Sequence, residues 1–186
     1  MNNTVLEAPS EQLSAEELNR AKAHLEESRD GLLAAVAGLN ETQWRFKPTP
    51  ECWSIAEVVE HLAIVGSLFE RRMADFQNGP VPNDSLPDID DVLANVVRRE
   101  PKYPTLPPAV PTGKVPTNEV LERALAGYAK TVEMLERTPN LHGHTMVHPV
   151  LGALDGYQWM LLVGAHWKRH TLQIRELKAL PEFPFN

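Results

Sequence analysis

Apolar positions repeat at intervals of three and four in four separate stretches of the chain, and each stretch predicts an amphipathic helix. Over residues 14–39 the repeat is Leu18, Ala21, Leu25, Leu32, Val36 and Leu39. It opens on Ser14-Ala-Glu-Glu17, a capping box in which hydroxyl and carboxylate each satisfy a backbone N–H left over at a helix start. Over residues 54–77 a second box, Ser54-Ile-Ala-Glu57, precedes Ile55, Val58, Val59, Leu62, Val65, Phe69 and Phe76, and Asn78-Gly79-Pro80 stops the helix. The third stretch, residues 118–137, carries Val120, Leu121, Leu125, Tyr128, Val132 and Leu135 and ends at Thr138-Pro139-Asn140. The fourth, residues 156–180, turns Trp159, Leu162, Val163, Ile174 and Leu177 inward.

Between the second and third helices lie nine of the sixteen prolines, from Pro80 to Pro116. Their missing N–H groups and fixed φ exclude a long helix there, although Asp88 to Arg99 has room for a short one. No apolar/polar alternation is long enough to predict a strand, and no internal repeat is present. The expected fold is all-α: a four-helix bundle in one domain, residues 1–186, with a long Pro-rich crossover that leaves the relative direction of its flanking helices open.

Charge narrows the function. Lys and Arg number 18 against 25 Asp and Glu, a formal charge of -7 with a pI near 5.5, so the basic footprint of a nucleic-acid or anionic-lipid binder is missing. The longest apolar run, Trp159 to Ala165, falls far short of the roughly 20 residues of a membrane span. The N-terminus, MNNTVLEAPSEQLSAEEL, has neither a basic nor an apolar leader region, and the single Cys52 has no partner for an internal disulfide. The expected location is the cytoplasm.

Candidate chemistry enters with the histidines. His166 and His170 are four apart, which stacks their rings on one helical face about 6 Å apart along the axis. Their stripe is Trp159, Val163, His166, His170, Gln173 and Leu177, whereas Lys168 and Arg175 lie opposite, so the pair points into the bundle. His61 flanks the apolar stripe of the second helix and supplies a third imidazole. Three such ligands suit zinc, nickel, copper or iron and leave a coordination position open. The competing reading is a set of hydrogen-bonded core histidines, because a buried imidazole needs partners whether or not a metal is present.

Two stretches together resemble a known family. Trp53-Ser54-Ile-Ala-Glu57-Val-Val-Glu-His61-Leu62 resembles the W-S-x-x-E-x-x-x-H-L signature of the DinB-like and YfiT-like superfamily. His148-Pro-Val-Leu-Gly152, followed by His166-x-x-Arg169-His170-x-x-Gln173-Ile174, resembles its H-P-x-x-G and H-x-x-x-H-x-x-Q-I elements in the same order. The resemblance runs from about Leu18 to Leu180. It implies a four-helix bundle holding a divalent metal, commonly nickel or zinc, on His61, His166 and His170. It also implies a thiol-dependent transferase or isomerase using bacillithiol or mycothiol, or a metal-dependent hydrolase.

Other residues take two readings each. Trp53 is either a wall of the metal pocket or a staple fixing the chain's entry into the second helix. Glu57 is either a general base or simply the acid of the capping box, which accounts for it fully. Gln173 either bonds a histidine or ligand or packs as a half-buried amide. Trp53, Glu57, Trp159 and Gln173 together form the expected substrate pocket. Cys52 reads as a small buried residue more readily than as a nucleophile. His142 and His144 read as solvated loop residues and His148 as a neighbour of Pro149, although the three form a rival metal cluster in sequence. The expected protein is therefore a metal-dependent enzyme acting on a small molecule, with thiol transfer to an electrophile placed ahead of hydrolysis. A catalytically idle metal-binding stress-response module is the alternative. Pairing into a homodimer is expected as well, since relatives of this fold often pair and a Pro-rich crossover can lie across a partner.

Overall fold

Two of the four expected helices start where a capping box predicts. The computed structural model describes residues 12–82, 85–102 and 104–185, so residues 1–11 of the N-terminus read for a leader lie outside the described residues. Helix α1, Ala15–Val36, and helix α3, Ile55–Met73, open on Ser14 and Ser54, with Glu17 and Glu57 returning to the cap nitrogens. Helix α5 covers Thr117–Arg137 and helix α6 Gly156–Lys178. The expected ends at Leu39 and Gln77 retreat. Gly38 takes φ 71 and halts α1, and a one-turn 3-10 helix at Phe76–Asn78 replaces the last turn of α3.

Two features were not expected. Asn40 and Gln43 form a further capping box on a short helix, α2, Glu41–Arg45. Strands β1, Thr145–His148, and β2, Gly152–Asp155, form an antiparallel hairpin in which Thr145 pairs with Asp155 and His148 with Gly152. Four residues each is too short for alternation to show. Tertiary anchors fix β1 instead: the Thr145 N–H donates to the Pro80 carbonyl at 2.8 Å, and Trp159 Nε1 donates to the Met146 carbonyl at 3.1 Å. Gly152, at φ 79, closes the turn. The hairpin delivers Asp155 as the N-cap of α6, in a capping box with Gln158.

The four long helices pair as α1 with α6 and α3 with α5, and α3 also meets α6. Between α3 and α5 the chain carries helix α4, Ile89–Val97, within the window expected for a short helix, and α4 packs on α6. Consequently α6 is covered on more than its apolar stripe: Met160, Leu161, Ala165, Trp167 and Ile174 are all buried. Lys168, expected on an outer face, lies against α1, where its amine bonds Glu27 at 2.7 Å. Small residues set the spacing of these helices. A Cβ on Gly66 would meet the Gly127 backbone at 3.6 Å, so α3 and α5 approach at backbone distance. No described helix is long and apolar enough to cross a membrane.

Gly164 marks the corresponding approach of α6 to α1, since a Cβ there would lie 2.3 Å from His24 Cδ2. The His24 ring has little freedom to yield, because its Nε2 is bonded to the Leu161 carbonyl at 3.0 Å. Gly→Ala inside a helix ordinarily stabilises by about 1 kcal/mol. Gly164→Ala is expected to reverse that sign and cost about 1–3 kcal/mol through overpacking. Urea unfolding checks it, and a stabilised variant would contradict the tight α1–α6 contact.

Candidate metal centre

Burial of Val58, Val59 and Leu62 seats α3 against the bundle and carries His61 inward with them. From α6, His166 and His170 arrive one turn apart. His61 Nε2 lies 3.3 Å from His166 Nε2, and His170 Nε2 lies 3.1 Å from the same atom. One nitrogen from each ring falls within 4.8 Å of the other two, so the three residues can hold a metal ion. Nitrogens at about 2.0–2.1 Å from a shared ion in tetrahedral geometry sit about 3.3 Å apart. The observed separations fit that geometry.

The outer nitrogens decide what the inner ones present. His61 Nδ1 is 2.7 Å from the Ala109 carbonyl, and His170 Nδ1 is 2.9 Å from Gln173 Oε1. Both oxygens accept, so both Nδ1 atoms carry the proton and both Nε2 atoms turn a lone pair inward. His166 Nε2 has at most one proton to share between them. A cation relieves all three repulsions at once, and a proton relieves only one.

The rings are held neutral. Burial pushes the His61 imidazole below its ordinary value. His166 is pushed down to about 3, by burial first and then by His61 and Arg169, and His170 falls well below the usual range for the same first cause with His166 and His61 beside it. His61 and His170 are 5% and 6% exposed, and His166 is half-buried.

The remaining expected residues divide. The Trp53 ring lies 5.0 Å from that of His61, beside the cluster, while the next residue, Ser54, caps α3. Gln173 orients His170. Glu57 is occupied: Oε2 accepts from the Ser54 N–H at 2.7 Å and Oε1 from Lys47 at 3.0 Å. Burial opposes ionisation of Glu57, but these donors hold its carboxyl below the usual range. Trp159 sits under the hairpin instead, stacked on Phe69 at 5.8 Å and 5.3 Å from His148. Cys52, expected to be buried, is exposed.

His142 and His144 are latches, not the solvated loop residues expected. His142 bridges two carboxylates, with Nδ1 2.8 Å from Asp155 and Nε2 3.0 Å from Glu17, tying the start of α6 to the start of α1. His144 Nδ1 donates to the Gly79 carbonyl at 2.9 Å, and His148 Nδ1 accepts from the Val150 and Leu151 N–H groups at 3.2 Å each. Their separate partners take the place of a shared ion. Sequence reasoning missed Glu60, which is buried beside His61 and receives Thr112 and Gly113. The only local sign of it is an acid inside the buried run Val58 to Leu62. Two surface cavities, of about 570 and 520 Å³, open near His142 and near Arg72 respectively, and their linings do not include the three histidines.

Comparison with known proteins places the chain in a family and matches its fold. The sequence profile of the DinB superfamily matches residues 24–174, a span that contains all three histidines. YuaE of Bacillus subtilis (strain 168), itself described as uncharacterized, is 30% identical over 153 residues, covering 77% of this chain and 88% of its own length. Among solved structures, YfiT from Bacillus subtilis superposes with a TM-score of 0.61 at 18% identity, over 92% of this chain and 91% of its own. That protein is described as a probable metal-dependent hydrolase with an unusual four-helix bundle topology.

The titrations have opposite signs. The clustered imidazoles have folded pKa values below the ordinary value of about 6.5, so the stability they permit is present above that pH and is lost as pH falls toward about 3. His142 is raised, by its bond to Asp155 first and Glu17 after, so its contribution is complete below about pH 6.5 and is lost as pH rises through the raised value. Urea midpoints of metal-free protein are expected to fall on acidification and to fall less steeply in His166→Gln. His142→Gln is expected to cost more stability near pH 6 than near pH 8. A midpoint independent of pH in this range would contradict both assignments.

Proposed function

We propose that this chain, which belongs to the DinB superfamily, is a divalent-metal-dependent enzyme acting on a small molecule at His61, His166 and His170. The observation that carries this reading is the convergence of three Nε2 atoms, with His166 at 3.3 and 3.1 Å from the other two and the outer N–H groups of His61 and His170 already satisfied. Zinc and nickel are the proposed ions, since imidazole suits both. When bound, such an ion supplies positive charge that acidifies a thiol or a water and polarises an electrophile.

The chain's own part is to position and to exclude water. Ala109 and Gln173 fix two imidazole rings, and Trp53 walls the His61 side. The carboxylates nearest in sequence to His61 are committed elsewhere, Glu57 to Ser54 and Lys47, and Glu60 to Thr112 and Gly113. Neither is free to shuttle protons. Three neutral ligands leave the ion its full charge, which favours an anion such as a thiolate, and a thiol loses its proton far more readily than water does. The same charge acidifies water too, so thiol-dependent transfer to a small electrophile is the first reading mainly because the family resemblance implies thiol-dependent transferases. Hydrolysis is the second, favoured by the description of YfiT.

Protein purified without a nickel affinity step is expected to carry about one divalent ion per chain. His61→Ala, His166→Ala and His170→Ala should each lower metal affinity at least tenfold, by roughly the effect of losing a ligand or its support, whereas His144→Ala should leave it unchanged. Equal metal content in all four variants would remove the proposed centre. With metal loaded, bacillithiol, mycothiol, glutathione and cysteine are then offered with monobromobimane as acceptor. Acceptor loss that depends on thiol and on His166 supports transfer. Turnover of simple esters or amides with no thiol effect replaces it with hydrolysis.

A further inference from the structure

The strip of chain over His61 is held in place by a residue that takes no part in the ligand set. Glu60 and His61 are successive on α3, so their side chains diverge by about 100° around the helix, yet both end on the same short strip, residues 109–113. His61 Nδ1 donates to the Ala109 carbonyl at 2.7 Å. Glu60 Oε1 accepts from the Thr112 N–H at 2.9 Å and the Thr112 hydroxyl at 2.7 Å, and Oε2 accepts from the Gly113 N–H at 2.8 Å. Glu60 is 5% exposed, as is His61. The far side of the strip is tied by Arg45, which donates to the Gly113 carbonyl at 3.0 Å and the Val115 carbonyl at 2.9 Å. Gly113 itself adopts φ 70, where an L side chain is strained, and a Cβ there would crowd Glu57 Oε1 at 3.0 Å.

We propose that Glu60 is a positioning residue for the metal ligands: by fixing Thr112 and Gly113 it holds the Ala109 carbonyl where His61 must keep its proton on Nδ1, which leaves the Nε2 lone pair turned toward His166 and His170. This inference rests on the metal reading of the three histidines and adds to it the device that selects the tautomer. A carboxylate suits the task because all three groups facing it donate. A glutamine amide in its place keeps the two Thr112 bonds on its oxygen but sets its own NH2 against the Gly113 N–H. The strip then shifts, and the Ala109 carbonyl no longer dictates which His61 nitrogen is protonated. Thr112 gives a milder version of the same loss: Thr112→Val removes the hydroxyl that donates to Glu60 and accepts from the Lys114 N–H at 3.2 Å, while the Thr112 and Gly113 N–H bonds to Glu60 remain, and Thr112→Ser restores the hydroxyl.

The test uses the full-length protein. Nitrogen-15 spectra of the metal-free form near neutral pH, assigned through His61→Gln, report the His61 tautomer, and calorimetric titration with zinc ion reports affinity. Wild type is expected to show His61 protonated at Nδ1. Glu60→Gln should show a mixed or reversed tautomer and bind zinc about tenfold more weakly, the lower end of the effect of removing an outer partner of a ligating histidine. Thr112→Val should move both readouts in the same direction by less, and Thr112→Ser should match wild type. Wild-type tautomer and wild-type affinity in Glu60→Gln and Thr112→Val overturn the proposal, even where the melting temperature falls. Should Glu60→Gln fail to fold, the Thr112 pair decides by itself. Should wild type bind no zinc, the metal reading fails, while the tautomer comparison still tests Glu60.

Discussion

Three imidazole nitrogens gathered within 4.8 Å of one another, with His166 at 3.1 and 3.3 Å from the other two, turn lone pairs toward a common point, and much of the surrounding structure serves to hold them there uncharged. Burial alone would favour neutral rings but would leave their orientation free. Orientation comes from acceptors at the back of two rings, the Ala109 carbonyl and the Gln173 amide oxygen. One acceptor is local, three residues along α6 from His170. The other is 48 residues from His61 in sequence, on a segment with its own supports in Glu60 and Arg45. The ligand set is thus as well defined as the connection between α3 and α5 that covers it.

Helix positions were legible in the sequence because each long helix carries its own signal: a capping box at Ser14 and Ser54, a three-and-four apolar spacing along α5, a proline or glycine just past the end. The histidine pair was legible for the same reason, since positions four apart on one helix must share a face. Features that depend on another segment were not. The hairpin has too few residues to alternate and exists because Pro80 and Trp159 offer partners to β1. His142 looked like a loop residue because Glu17, one of its two acceptors, is 125 positions away. Glu60 left almost no trace, because its three donors come from backbone and hydroxyl groups some fifty residues on.

The side chains around the cluster leave little of the protein free to act on a substrate. Glu57 and Glu60 are engaged as described, and Arg169, on α6 between the two ligand histidines, donates to the carbonyls of Val96 and Arg99 at the end of α4. Gln173 is used by His170. This matches a site in which the chain contributes binding geometry and the reactive groups come from the ion and a second small molecule. It also gives a physical reason why fold and ligand positions can be read more securely than the reaction: the residues that would distinguish a transferase from a hydrolase are those facing the substrate, and here the identifiable polar groups face the scaffold.

Helix α6 concentrates these demands. At its start, Asp155 caps the helix through the Gln158 N–H and also receives His142, which in turn holds Glu17 of the α1 capping box. In its middle, Gly164 lets α1 approach at His24, and Arg169 holds the end of α4. Near its end, Lys178 donates to the Ala35 carbonyl at 2.7 Å, fastening α1 again. A helix tied at start, middle and end has little freedom to rotate, and rotation about its axis is the motion that would carry His166 and His170 away from His61. A turn of α6 by one residue, about 100°, would replace the two imidazoles facing α3 with neighbouring side chains. The polar contacts at the two ends of α6 therefore act on the histidine cluster without touching it, by fixing which face of the helix is presented.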